Sequence, residues 1–136
     1  MHVDASGINQ LTERIIGACI EVHRYLGPGL LESAYESALA LELETQGMGF
    51  ERQPRIPVRY KGVELEEWYR ADVIVERAVV LELKSVDVFH PVHSAQLLTY
   101  LKVSGLRVGL LINFNGTTLR GHIRRVVNDA PDLVRR

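Results

Sequence analysis

The chain has a single cysteine, Cys19, so it can form neither an internal disulfide framework nor a cysteine-based zinc site. Cys19 lies in an apolar helical pattern and reads as an inert core residue. No apolar run approaches the roughly 18 residues needed to cross a membrane, and the opening MHVDASGINQ has no signal-peptide core. A cytoplasmic protein with no membrane contact is therefore expected. Low-complexity stretches, long linkers and internal repeats are also missing, and 136 residues suit one domain over 1–136. The chain lacks any excess of positive charge: its net charge of −1 argues against a globally basic nucleic-acid binder. The distribution is uneven, however. Residues 1–50 hold two basic side chains (Arg14, Arg24) against seven acids, whereas residues 51–136 hold fourteen against ten. A phosphate-facing surface should come from the C-terminal part, although solvated faces alone can leave the same asymmetry.

Ile8, Leu11, Ile15, Cys19, Val22 and Leu26 recur at three- and four-residue steps, as one face of an amphipathic helix does, and Gly27-Pro28-Gly29 stops it. A second helix fits Leu31 to Gln46, with Leu31, Ala34, Ala38, Leu41 and Leu43 apolar and Gly47 terminating. From Phe50 the period changes. Pro54 and Pro57 make the next strand an edge or an interrupted one. Two clear strands follow, Trp68 to Glu76 and Ala78 to Val86, around a tight turn near Arg77. Pro91 suits the first turn of a third helix that runs to about Ser104 and ends at Gly105. Two further strands, Leu106 to Phe114 and Leu119 to Val127, flank Asn115-Gly116 as their turn. A mixed sheet covered by helices fits this order.

The strand Val79-Val80-Leu81-Glu82-Leu83-Lys84-Ser85 is apolar but for two opposite charges. Side chains alternate along a strand, so Glu82 and Lys84 share a face, and Leu81, Leu83 and Ser85 take the other. In the preceding strand Arg70, Asp72, Ile74 and Glu76 share a face. A hairpin centred on Arg77 pairs residues whose numbers sum to 154, which sets Asp72 opposite Glu82 and Ile74 opposite Val80. A slip of one residue would put the two acids on opposite faces. Two carboxylates forced together in a sheet interior repel each other and are costly to desolvate. A hard divalent cation resolves both problems, and magnesium binds through one or two carboxylates while taking its other ligands from water and substrate phosphate. Lys84, on the same face, would hold an attacking water or the developing phosphate charge. The same residues also fit a plain Glu82–Lys84 pair on a half-exposed strand.

On the third helix Gln96 and Tyr100 lie four apart, with His93 three positions earlier, in a polar stripe amid Ala95, Leu97, Leu98, Leu101 and Val103. Gln96 can hydrogen-bond a coordinated water or a phosphate oxygen, and Tyr100 can do likewise or stack on a base. A solvated stripe is the competing reading. Glu32 sits in the first turn of the second helix, where a carboxylate is favoured by the helix dipole in any case, and Tyr35 shares its face. His90 and His93 have ligand-like spacing, but His90 equally suits a helix cap beside Pro91.

Asp72, Glu82-Leu83-Lys84 and Gln96-Leu97-Leu98-Thr99-Tyr100 together resemble the motifs of the PD-(D/E)XK nuclease superfamily. The Gln-x-x-x-Tyr element is similar to that of its RecB-like and phage lambda exonuclease-like branches. Gly29-Leu30-Leu31-Glu32-Ser33-Ala34-Tyr35 resembles the signature of the GxxExxY protein family, as do the stretches from Val22 to Gly29 and from Gly109 to Phe114. The resemblance covers roughly residues 9 to 128. It implies a restriction-endonuclease-like α/β fold: an αβββαβ core with a mixed central sheet flanked by helices, preceded here by an extra N-terminal helix. It also implies that Asp72 and Glu82 are ligands to Mg2+ or Mn2+, with the backbone carbonyl of Leu83 as a third. Lys84 would be catalytic, Gln96 would support it, and Glu32 would be an additional acid from the helix before the sheet. Ala71 replaces the proline of the superfamily's name, a position often not proline.

The expected function is metal-dependent hydrolysis of phosphodiester bonds in nucleic acid, DNA rather than RNA. The alternative is a non-catalytic nucleic-acid-binding or self-assembling module that retains the fold. A domain this small has little surface beyond its active face for gripping a duplex. Homo-oligomerisation would supply more, with the long apolar first helix as the expected interface.

Overall fold

In the computed structural model, which describes residues 5–129, the periodicities resolve into helices and strands in the order α1 (Ala5–Leu26), α2 (Glu32–Thr45), β1 (Phe50–Arg52), β2 (Arg55–Tyr60), β3 (Val63–Arg70), β4 (Val73–Val75), β5 (Val79–Lys84), α3 (Pro91–Ser104), β6 (Val108–Asn113) and β7 (Ile123–Val127). The first four residues of the segment read above for a signal peptide lie outside the described residues, as do residues 130–136.

Five strands form one sheet in the order β1-β4-β5-β6-β7, and β2 pairs with β3 in a separate two-stranded sheet. The β5–β6 pair is parallel, joined by α3 as its crossover, and the other neighbours are antiparallel. This mixed sheet flanked by helices, with α1 added at the N-terminus, is the expected restriction-endonuclease-like architecture. Alternation along the central strands divides the core in two. Val73, Val75, Val79, Leu81, Leu83, Leu110 and Ile112 pack with α1 and α2, while Val80 and Leu111 pack with Leu97, Tyr100 and Leu101 of α3. Every residue of β6 is buried, as befits a strand covered on both faces.

The register of the β4–β5 hairpin is the one centred on Arg77: Val73 pairs with Leu81, Ile74 with Val80 and Val75 with Val79. Glu76 and Arg77 both take a left-handed φ of 52° to close the turn. Glu76 is held there by Gly49, whose N–H donates to its carboxylate at 2.7 Å. Helix α3 starts at Pro91 with His90 as its cap, and Gly105 ends it at φ 76°.

Four local expectations are corrected. The segment from Trp68 to Glu76 is two strands in different sheets: after Arg70 the chain leaves β2, Ala71 N donates to Pro54 O, and Gln53 N donates to Asp72 O, so the ladder is rebuilt on new partners. Lys61-Gly62, at φ 49° and 81°, closes a hairpin that had not been expected. Asn115-Gly116 is not a two-residue turn, because residues 114–122 intervene between β6 and β7. Helix α2 buries Tyr35, Glu36, Leu39, Ala40 and Leu43, leaving Leu31 and Leu41 exposed at 77% and 67%. Its orientation follows the anchored ring of Tyr35 rather than the count of leucines.

The apolar face of α1 is spent on the chain's own core. Ile8, Leu11, Ile15, Ala18, Cys19 and Val22 are buried, although Leu26 is not. That face is therefore not an interface left open for a second copy.

Candidate active site

The site begins where the ladder breaks. Asp72 lies just outside β4, so its N–H is released from strand pairing and donates to Glu82 Oε1 at 3.0 Å. In return Asp72 Oδ2 accepts from the backbone N–H of Leu83 at 2.7 Å. The two acids thus meet across the position to which the hairpin register extrapolates. The two carboxyls also hydrogen-bond to each other, an interaction that favours the protonated form of Glu82. Among the described residues no buried side-chain N or O lacks a hydrogen-bond partner.

Burial raises the pKa of both groups. For Glu82, desolvation comes first and the neighbouring Asp72 charge second, and together they push its carboxyl up to about 8. For Asp72, desolvation also dominates; the Leu83 N–H opposes it, and the charges of Glu36 and Glu32 add to it. Lys84 lies near enough to lower both, but it is not within 4.0 Å of either carboxylate, and the ion pairs among the described residues are Arg24–Glu21, Arg52–Glu36 and Arg59–Glu64. The plain Glu82–Lys84 pair does not form.

Glu32 is brought to the same end of β5, where its Oε2 accepts from Ser85 N at 3.1 Å. The Ser85 hydroxyl donates to Leu30 O at 3.0 Å, fastening the loop before α2 to the strand. Tyr35 completes this joint. Fully buried, it stacks on Phe114 with ring centroids 4.4 Å apart, and its hydroxyl donates to Gly27 O and accepts from Leu30 N. Gly29, at φ 97°, makes the bend that side-chain-bearing residues rarely adopt. The Gly29-x-x-Glu32-x-x-Tyr35 spacing therefore has a local purpose: turn, carboxylate and anchor on one helix start.

The α3 stripe lies on the face of the sheet that carries Asp72 and Glu82. Tyr100, buried at 6%, has its pKa raised by burial and then by the charges of Glu82 and Asp72, and its ring meets Tyr69 at 5.6 Å. His93, at the other end, has its pKa lowered by desolvation and then by Lys84, with Glu32 opposing. Gln96 is exposed and lies between them on the helix, one turn from each. The stripe thus spans the distance from the Lys84–Glu32 end to the Asp72–Glu82 end.

Two participants went unassigned in the sequence. Glu36, one turn after Glu32, is buried beneath Asp72's field and held by Arg52 and Gln53. The Glu32-x-x-x-Glu36 repeat was its signal. Tyr69 was lost inside a strand drawn too long. His90 caps α3, and its backbone N–H donates to His93 Nδ1 at 3.2 Å.

The donor set suits a hard cation with few protein ligands. No group of three or more His, Cys, Asp or Glu among the described residues converges on one point. Asp72 and Glu82 supply two carboxylates, which is what magnesium takes from a protein while keeping its waters. Leu83 presents its carbonyl on the same strand edge as the N–H that reaches Asp72, since both groups of a strand residue point one way.

No curated protein and no solved structure matches the chain. One family does, the PD-(D/E)XK nuclease superfamily, over residues 9–126, a span that takes in both sheets, the paired acids and α3. Fold, motif order and family match coincide, and the chain belongs to the PD-(D/E)XK nuclease superfamily.

Proposed function

We propose that this chain is a divalent-metal-dependent nuclease, with DNA as its substrate and Asp72, Glu82 and the carbonyl of Leu83 as the ligands of Mg2+ or Mn2+. The observation that carries this reading is the meeting of the half-buried Asp72 and the buried Glu82, each carboxyl accepting from a backbone N–H of the other's strand, with no cationic side chain among the described residues within 4.0 Å of either. Bringing the two carboxyls together out of water favours a shared proton, and a divalent cation displacing that proton would offset both the desolvation and the repulsion. Members of the superfamily generally use such metals on nucleic acid. A bound cation would polarise the phosphoryl group and offset the charge that builds on it.

In this reading the chain's own residues do the rest. Lys84, in no ion pair among the described residues, is the catalytic ammonium that orients the attacking water and donates to a non-bridging phosphate oxygen. The water's oxygen forms the new bond to phosphorus as the ester P–O bond breaks; the proton the water gives up passes to solvent, and solvent returns one to the departing oxygen. Gln96 extends from α3 to hold the water or phosphate. Tyr100, packed on Tyr69, closes the acid end of the cleft. Glu32 holds Ser85 and thereby fixes the strand end that carries Lys84. The Gly29-x-x-Glu32-x-x-Tyr35 joint supports placement in the GxxExxY group, and Gln96-x-x-x-Tyr100 supports the RecB-like branch.

The test has two arms. Calorimetric titration with Mn2+ should show binding to the wild type and none to Asp72→Asn. Incubation in Mn2+ with labelled linear, circular, single-stranded and branched DNA, and with RNA, should show cleavage that Lys84→Ala abolishes while metal still binds. Absence of Mn2+ binding by the wild type would refute the enzyme reading. Binding without cleavage of any substrate would favour the non-catalytic module.

A further inference from the structure

The β2–β3 hairpin is inserted between two strands of the main sheet, and every residue of β3 is exposed. Its two faces differ. Ile56 and Tyr69, paired across the strands, turn toward α3, where Ile56 joins the cluster of Leu97 and Leu101 and Tyr69 meets Tyr100. The neighbouring pairs, Arg55 with Arg70 and Pro57 with Trp68, must then face the other way. On that face the Trp68 indole is flanked by two guanidiniums, Arg55 at 4.0 Å and Arg70 at 5.1 Å from the ring centroid.

Like charges directly opposite each other in an antiparallel pair are destabilising. Here neither arginine has a carboxylate within 4.0 Å among the described residues. Of the hairpin's acids, Glu64 is paired with Arg59, and Glu66 and Glu67 reach neither Arg55 nor Arg70. A guanidinium held over an indole face keeps its N–H groups free of the ring, and two such groups beside one ring suit phosphate. Arg70 precedes Asp72 by two residues, so their Cα atoms are at most about 7.6 Å apart. Arg55 also lines a hollow of about 510 Å³ with Arg59 and Arg77, three cations against the one acid, Glu51.

We propose that Arg55 and Arg70, braced on Trp68, form a phosphate clamp that grips the nucleic-acid backbone next to the cleavage site. This inference rests on the nuclease reading for its ligand. It also answers a difficulty of scale, since the hairpin adds a gripping surface that the sheet and α3 do not offer.

Trp68 is the chain's one tryptophan, so fluorescence excited selectively in the indole band, beyond tyrosine absorption, reports on the clamp. Titration of the wild type with single-stranded DNA and duplex DNA in EDTA should change Trp68 emission with the same midpoint as the anisotropy of a labelled oligonucleotide. Each phosphate contact contributes about 0.7 (single strand) to 0.9 (duplex) to the slope of log affinity against log salt. Loss of two contacts in Arg55→Gln/Arg70→Gln should flatten that slope by about 1.4 to 1.8. Between about 50 and 200 mM salt the wild type should therefore lose about 7- to 12-fold more affinity than the double variant. Arg14→Ala, on α1, should leave the slope unchanged, and circular dichroism should show the double variant folded. An unchanged slope in the folded double variant, or silent Trp68 emission at saturating DNA, overturns the clamp. Cleavage in Mn2+ is scored separately. A wild type that cuts while the double variant keeps its slope refutes the clamp and spares the nuclease; a wild type that binds with the expected slope but cuts nothing refutes the nuclease and spares the clamp.

Discussion

Replacing Glu82 by glutamine should make the metal-free protein more stable, not less. The carboxyl of Glu82 is buried beside Asp72 and loses its proton only near pH 8, against an ordinary 4.5. A group whose folded pKa is raised contributes stability that is complete below its unfolded value and is lost as pH climbs toward the folded one. At pH 7 the unfolded chain is ionised here and the folded chain resists it. The resulting cost is about 1.36 kcal/mol for each pH unit between 4.5 and 7, about 3 kcal/mol in all. Glutamine keeps an oxygen to accept from Asp72 N and carries no charge. Urea unfolding in EDTA at pH 7 should place Glu82→Gln up to about 3 kcal/mol above the wild type, or about 10 °C in melting temperature for a chain this long. The gap should close as pH falls toward 4. Added Mn2+ at about a hundred times its dissociation constant should return about 2.7 kcal/mol to the wild type and nothing to the variant. A variant no more stable than the wild type at pH 7 in EDTA, or a gap that ignores pH, would refute the reasoning.

Other consequences are as direct. Tyr35→Phe removes a buried hydroxyl that joins Gly27 O to Leu30 N; it should cost about 1–3 kcal/mol in denaturant unfolding and, by loosening the loop that Ser85 and Glu32 secure, slow cleavage as well. Gly109→Ala would set a Cβ 2.8 Å from Leu97 Cδ1 in a filled cluster, and thermal unfolding should register a loss of about 1–3 kcal/mol. Burial pushes the Cys19 thiol up to about 12, so in the native protein at pH 8 it should resist alkylation, and mass spectrometry should find it labelled only after denaturation.

Local chemistry was enough for much of this molecule. The alternation of Val79 to Ser85 and the position of Arg77 set the hairpin register, because a side-chain period of two leaves only one pairing that buries the apolar set. Pro91 and Gly105 bounded α3 because each acts through its own backbone. Asp72, Glu82 and Lys84 were legible for the same reason: charges inside an apolar strand stand out.

The remainder depended on long-range packing. The split at Ala71 exists because Pro54 and Gln53, seventeen and nineteen residues earlier, take over its backbone partners. The face of α2 was decided by a ring stacked on Phe114, far along the chain. Glu36 looked like an ordinary helical glutamate until Arg52 and Gln53 closed over it. The paired charges of Arg55 and Arg70 could be seen only once β2 and β3 were aligned. By itself the sequence determined which residues could not be ordinary, whereas the tertiary structure decided which of them meet, because juxtaposition across dozens of residues depends on how the two cores close around the sheet.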